Sequence, residues 1–179
     1  MTFKIGVVAA VICCLGCSGV AAQKTAVTAP AQPTAEPVQV RQSLAKVAVG
    51  QQQPLAQLTD VNGKLINLQQ TEKRKLIIFF ATWCHDSQRL MSQLQQSPLL
   101  NDPQLLIVAI GREEQPAALT KFANEYKLPL HFVSDPDRAL YQQFTDTGIP
   151  RVVLVNEKNV VVKTFLGEIP RAIDEIVWP

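Results

Sequence analysis

The chain has 179 residues, 47% of them hydrophobic, and a formal charge of +2 at pH 7. That length and apolar share suit one domain of ordinary size whose core needs no disulfide staples. The charges are mixed along the chain, and no basic run interleaved with aromatics gives nucleic-acid binding any support; nothing in the composition asks for a cofactor.

In chain order, the first element is a targeting segment. Lys4 provides a short positive region, and Ile5 to Gly16 form an apolar stretch of signal-peptide length, too short to span a bilayer comfortably. Two processing sites compete. The preferred one follows Gly16: Leu15-Gly16-Cys17 resembles a bacterial lipobox, although Cys14 stands where Leu is usual. The signal would then span residues 1–16, and Cys17 would carry lipid. The alternative is the small-residue site Val20-Ala21-Ala22, which ends the signal at 22 and releases a soluble protein beginning at Gln23. Residues 17–49 include "KTAVTAPAQPTAEP", which cannot bury a core and reads as a flexible tether. Either route predicts export to the bacterial periplasm, and the preferred one predicts a membrane-anchored lipoprotein.

Residues 50–179 read as the folded domain. "PLAQLTDVNGKLINLQ" predicts a hairpin with a two-residue turn at Asn62-Gly63. Lys75 to Ala81 ("KLIIFFA") is an apolar run of buried-strand length. From Cys84 to Ser97 the apolar residues Leu90, Met91 and Leu94 recur at helical spacing, with Pro98 as the limit. Residues 104–111 are a second buried strand. Pro116 opens a helix that carries Leu119, Phe122, Ala123 and Tyr126 on one face. Residues 130–135 are a strand, and a short helix is predicted from Pro136 through Phe144. The runs 151–156 and 160–167 flank "EKN" as an antiparallel hairpin, and a last helix is predicted from Pro170 to Val177. Strands alternating with helices imply a mainly parallel α/β sheet, with the C-terminal hairpin as its antiparallel part.

Chemistry in such sheets gathers beyond the carboxyl ends of the strands. Cys84 falls there, at the junction of the first long strand and its helix, within "ATWCHDS". Cys13 and Cys14 leave with the signal and Cys17 is removed or acylated, so Cys84 is the one thiol expected in the mature chain. A cysteine in the first turn of a helix meets unsatisfied N–H groups and the positive end of the helix dipole. Such sites lower a thiol pKa from about 8.5 to roughly 3.5–7.5, which makes a reactive Cys84 the better reading than a packed, inert one.

"IIFFATWCHDS", with "TGIPRVVLVN" further on, resembles a thioredoxin-fold protein. The exported context and the "DVNGKLINL" hairpin make residues 50–177 most similar to the TlpA/ResA-like thiol–disulfide oxidoreductases. The resemblance implies a thioredoxin-like fold with an N-terminal hairpin extension. It also implies a cis Ile149–Pro150 bond beside the reactive Cys84, with Trp83, Ile149 and Pro150 at the substrate site. The backbone before the proline would pair with the substrate chain as an added strand.

Three positions depart from that family pattern. Ser87 replaces the resolving cysteine, and its hydroxyl cannot release a mixed disulfide; it either donates to the Cys84 thiolate or is a solvated first-turn serine. Ile78 occupies a place where thioredoxins often bury an acid. Arg151 follows the proline where many relatives carry Thr, either steadying a thiolate or an anionic substrate or pointing outward into solvent. His85 is expected to tune the thiol and Asp86 to serve the helix N-terminus. Consecutive helix residues diverge too far for Cys84, His85 and Asp86 to share a metal, so no metal site is predicted.

The expected function is therefore an exported thiol–disulfide oxidoreductase that lacks its resolving cysteine and acts through Cys84. Its partners would be thiol- or disulfide-bearing exported proteins or a small thiol, and the membrane through a lipid anchor. Two other readings stay open: a non-catalytic binding module, and a single-cysteine peroxidase.

Overall fold

The structure is a computed structural model, and it describes residues 46–167 together with Ile173 and Ile176. The signal segment, Cys17, most of the tether and most of the predicted last helix lie outside the described residues.

Strand β3, Arg74–Phe80, is the spine of the domain, and every residue from Lys75 to Phe80 is buried. A strand apolar on both faces needs a layer on each side. It sits at the centre of a five-stranded sheet in the order β5-β4-β3-β6-β7, where β4 is Leu105–Arg112, β5 is His131–Asp135, β6 is Arg151–Val155 and β7 is Val161–Leu166. β3, β4 and β5 are parallel, and β6 runs antiparallel to both β3 and β7.

Alternation along β3 sends its side chains into two separate cores. Leu76, Ile78 and Phe80 meet Leu90, Met91 and Leu94 of helix α1 (His85–Gln95) and Leu119 and Phe122 of helix α2 (Pro116–Tyr126). On the other face, Ile77 and Phe79 pack with Leu58, Ile66 and Leu68 of the N-terminal hairpin and with Tyr141 and Phe144 of helix α3, Tyr141–Phe144. The hairpin strands are β1, Gln57–Thr59, and β2, Leu65–Asn67, paired antiparallel. The chain therefore has a thioredoxin-like α/β fold with an N-terminal hairpin extension.

Two local expectations are corrected. The hairpin turn is not the two residues Asn62-Gly63: β1 ends at Thr59 and β2 begins at Leu65, and Asp60 organises the loop by accepting from the Asn62 and Lys64 amides, both at 2.9 Å. Nor does a helix run from Pro136. Arg138 takes φ +63, which a right-handed helix cannot contain, so α3 starts only at Tyr141. The segment before β6 is equally specific. Gly148 has φ +81, and a Cβ there would lie 2.3 Å from Leu166 Cδ1, so any other residue would be strained and would displace Leu166. The Ile149–Pro150 bond that follows is cis.

Candidate active site

β3 ends at Phe80, and Ala81 to Trp83 turn the chain into α1. Cys84 is the N-cap of that helix, with extended backbone (φ −84°, ψ 117°), one residue ahead of the first-turn position read from the sequence. Its N–H donates to Ala81 O at 3.2 Å and its carbonyl accepts from Gln88 N–H at 2.9 Å, the first bond of the helix. Among the described residues the side chain makes no capping hydrogen bond and no disulfide, and the residue is partly exposed. Trp83 beside it is 62% exposed. His85 is exposed as well and lines a shallow cleft of about 510 Å³ between α1 and α2 with Gln88, Arg89, Ser92, Gln93 and Tyr126. Asp86 lies in the first turn, where a carboxylate suits the helix dipole, and pairs with Arg89.

Ser87, three residues after Cys84, is fully buried, which removes the solvated reading. Its Oγ accepts from Ala81 N–H at 3.4 Å, at the end of β3. Ile78 is buried in the apolar layer under α1. A carboxylate reaches the turn from elsewhere: Glu114, just past β4 and 6% exposed. Its Oε1 accepts from Thr82 N–H at 2.7 Å and Thr82 Oγ1 at 2.6 Å, while Gln88 Nε2 donates to Thr82 O at 2.7 Å. Thr82, two residues before Cys84, is thus held on three sides. The sequence reading missed Glu114. The signal was there in "GREEQP", acids placed directly after a buried strand at the sheet's carboxyl end.

Of the readings of Arg151, burial removes the outward, solvated one: it is 3% exposed. Register explains this. Arg151 pairs with Phe79, and both belong to the sheet face covered by α3, opposite α1. Its Nη2 donates to Thr147 O at 3.0 Å. Burial lowers the guanidinium pKa, with Tyr141 pulling the other way, and an arginine keeps its charge at neutral pH.

The same register brings the two ends of the motif pattern together. Phe79 stands opposite Arg151, so the end of β3 and the start of β6 are neighbours. Cys84 and Ile149-Pro150 therefore emerge from one end of the sheet. Among the described residues no group of three His, Cys, Asp or Glu side chains is placed to hold a metal. His131, the other histidine of the chain, instead faces Asp60, Nδ1 to Oδ2 at 2.8 Å.

The architecture and the placed cysteine can be set beside known proteins. The Redoxin family model matches residues 48–176. The chain belongs to the Redoxin family. Among curated Redoxin-like relatives, the "Thiol-disulfide oxidoreductase ResA" of Bacillus subtilis (strain 168) is 26% identical over 123 residues, 68% of this chain and 69% of that one. The ResA of Bacillus anthracis is 24% identical over 125 residues, 69% and 72% of the two chains. In structure, a putative protein disulfide isomerase from Bacteroides thetaiotaomicron superposes with a TM-score of 0.63 at 22% identity, covering 68% of this chain and 80% of that one. StoA from Bacillus subtilis gives 0.59 at 20% identity over 69% and 96%. This Redoxin-family chain is a thioredoxin-fold relative of the ResA/TlpA/DsbE-like thiol–disulfide oxidoreductases, and family and fold are consistent with that class of activity.

Proposed function

We propose that this Redoxin-family protein is an exported thiol–disulfide oxidoreductase that works through Cys84 alone, exchanging or isomerising disulfides of envelope proteins. One observation carries the reading: a partly exposed thiol at the N-cap of α1 is followed, three residues on, by a fully buried serine. The client's extended chain lies along Ile149-Pro150, with Trp83 as an exposed apolar contact. The Cys84 thiolate attacks one sulfur of the client disulfide. A new S–S bond forms, and the client's other sulfur leaves as a thiolate. Ser87 cannot break this bond. In isomerisation a second client thiol displaces Cys84 and no electrons are transferred overall. In reduction, an external thiol attacks the Cys84 sulfur and releases the client's second thiol, and a second external thiol then frees Cys84, so that two external thiols leave as their disulfide. His85, exposed beside the thiol, tunes its electrostatics, and Cys17 supplies a lipid anchor.

The test is reduction of a small protein disulfide by dithiothreitol, comparing wild type, Ser87→Cys and Cys84→Ser. Cys84 and Ser87 hold the N-cap and N3 positions, whose side chains lie within reach of one another. Ser87→Cys should therefore resolve the mixed disulfide internally and turn over faster than wild type, with Cys84→Ser inactive. If wild type is no better than Cys84→Ser, the single-cysteine enzyme is wrong. The exposed Trp83 would then favour a binding module, and client capture by Cys84→Ser would identify it.

A further inference from the structure

Around Tyr141, which is fully buried, three side chains reach the same stretch of backbone. Arg138 Nη2 donates to Asp146 O at 3.3 Å. Arg151 Nη2 donates to Thr147 O at 3.0 Å, and Thr145 Oγ1 donates to the same oxygen at 3.2 Å. The Tyr141 hydroxyl donates to Gly148 O at 2.9 Å. Three consecutive carbonyls are thus fixed from one side, and Pro150 O is fixed beyond them by Gly167 N–H at 2.8 Å. Ile149 lies between, and among the described residues its N–H and C=O have no partner. A backbone unit left open between pinned neighbours is suited to pair with an incoming strand.

We propose that Tyr141, Arg151 and Arg138 are positioning residues that hold the 146–148 carbonyls and so present the open Ile149 backbone to a client's extended chain. This deepens the function proposed above and rests on its docking step. The surroundings of the clamp are what a positioning device needs. The Arg112 and Arg138 guanidinium carbons lie 5.3 and 5.7 Å from the Tyr141 ring centre. Glu113 ties the two together, 2.7 Å from Arg112 Nη2 and 3.9 Å from Arg138 Nη1. Asp135 accepts from the Tyr141 and Leu140 amides at 2.8 and 3.0 Å. Burial raises the Tyr141 pKa against the pull of Arg112, Arg151 and Arg138, so the hydroxyl remains a donor at neutral pH. The Nε atoms of Arg112, Arg138 and Arg151 are buried with no acceptor among the described residues. Such orphan donors cost stability, a cost an apolar cluster would avoid.

The experiment uses the full chain and three activated disulfides. One is a cysteine peptide carried as its nitrothiobenzoate disulfide. The second is the same peptide N-methylated at the residues flanking cysteine, and the third is dithiobis(nitrobenzoate), which has no peptide backbone. Wild type should prefer the unmethylated peptide. In Tyr141→Phe, and in Arg151→Met, the ratio of peptide rate to reference rate should fall about two- to tenfold, the range set by losing one hydrogen bond. Hydrogen exchange should rise in 146–149 and not in α1. If wild type shows no preference for the unmethylated peptide, the docking step fails and the proposal with it. If the wild-type preference persists in both variants, or both rates fall in parallel, the clamp is wrong and the docking step stands.

Discussion

Glu114 supplies at residue scale what β3 does not: a carboxylate at the turn that carries the thiol. Its Oε1 takes two hydrogen bonds from Thr82, and hydrogen bonds to a charged group contribute more than neutral ones, about 1.5–3 kcal/mol each. Glu114→Ala should lower stability by about 2–3 kcal/mol in urea denaturation, less than the sum of the two bonds because half-buried Thr82 regains water when its N–H and Oγ1 lose their acceptor. Glu114→Gln keeps an amide oxygen and should cost less than half as much. Equal losses in the two variants would mean that the charge is immaterial. Cys84 was legible from sequence because everything that marks it, the strand, Trp83 and the helix start, is adjacent in the chain. Glu114 was not, because its partner is 32 positions away. The solvated reading of Arg151 failed for a related reason. A cation after a proline looks solvated until strand register shows which face it takes.

Among the elements, the β1–β2 hairpin is joined to β5 by few polar contacts and they are concentrated. Val61 N–H donates to Phe132 O at 2.8 Å, and Asp60 faces His131 across 2.8 Å. Burial disfavours the Asp60 carboxylate. The His131 bond and the Lys64 and Asn62 amides outweigh it and hold the pKa below the ordinary value. The sign of the pH effect follows. Stability from this group is complete above the unfolded-state pKa near 3.9 and is lost as pH falls through the lower folded-state value. Wild type should thus exceed Asp60→Asn in thermal stability at about pH 6, and the gap should close towards about pH 2. A gap that stays constant across that range would rule out ionised Asp60 as the latch. Strands and helices were legible here through apolar periodicity, since β3 and α1 bury the residues their patterns selected. The hairpin loop and the start of α3 were not. Those boundaries depend on an aspartate folding back onto amides and on a left-handed Arg138, and neither leaves a period in the sequence.

On the scale of the whole molecule, two apolar layers enclose the sheet, and polar groups are sorted to its ends. Cys84 and Ile149-Pro150 occupy one end. At the other, Lys75, fully buried, meets Gln70 O and Asn159 Oδ1. Burial lowers its pKa, with Glu157 opposing. The mainly parallel α/β class was readable from element order, because alternating strands and helices leave few topologies, and its thioredoxin-like form from the resemblance carried by "IIFFATWCHDS" and "TGIPRVVLVN". Export and anchoring belong to this scale too. Cys17 lies outside the described residues, and the proposal for it stands on the signal-like pattern of residues 4–17 alone. Protein from a bacterial envelope should partition with membranes and show a diacylated or triacylated Cys17 by intact mass. An unmodified chain beginning at Gln23 would make it a soluble periplasmic protein. The pairing of Phe79 with Arg151 has a further consequence for how such a chain tolerates change. Thiol and docking segment are spaced by one inter-strand register and not by the length of polypeptide that separates them. Insertions or deletions between α1 and β4 leave that register unchanged, whereas those beside Glu114 or Arg138 would disturb the contacts these residues make to Thr82 and Asp146. A slip of β6 by two residues would carry Ile149 about 7 Å along the strand, out of reach of anything bound to Cys84.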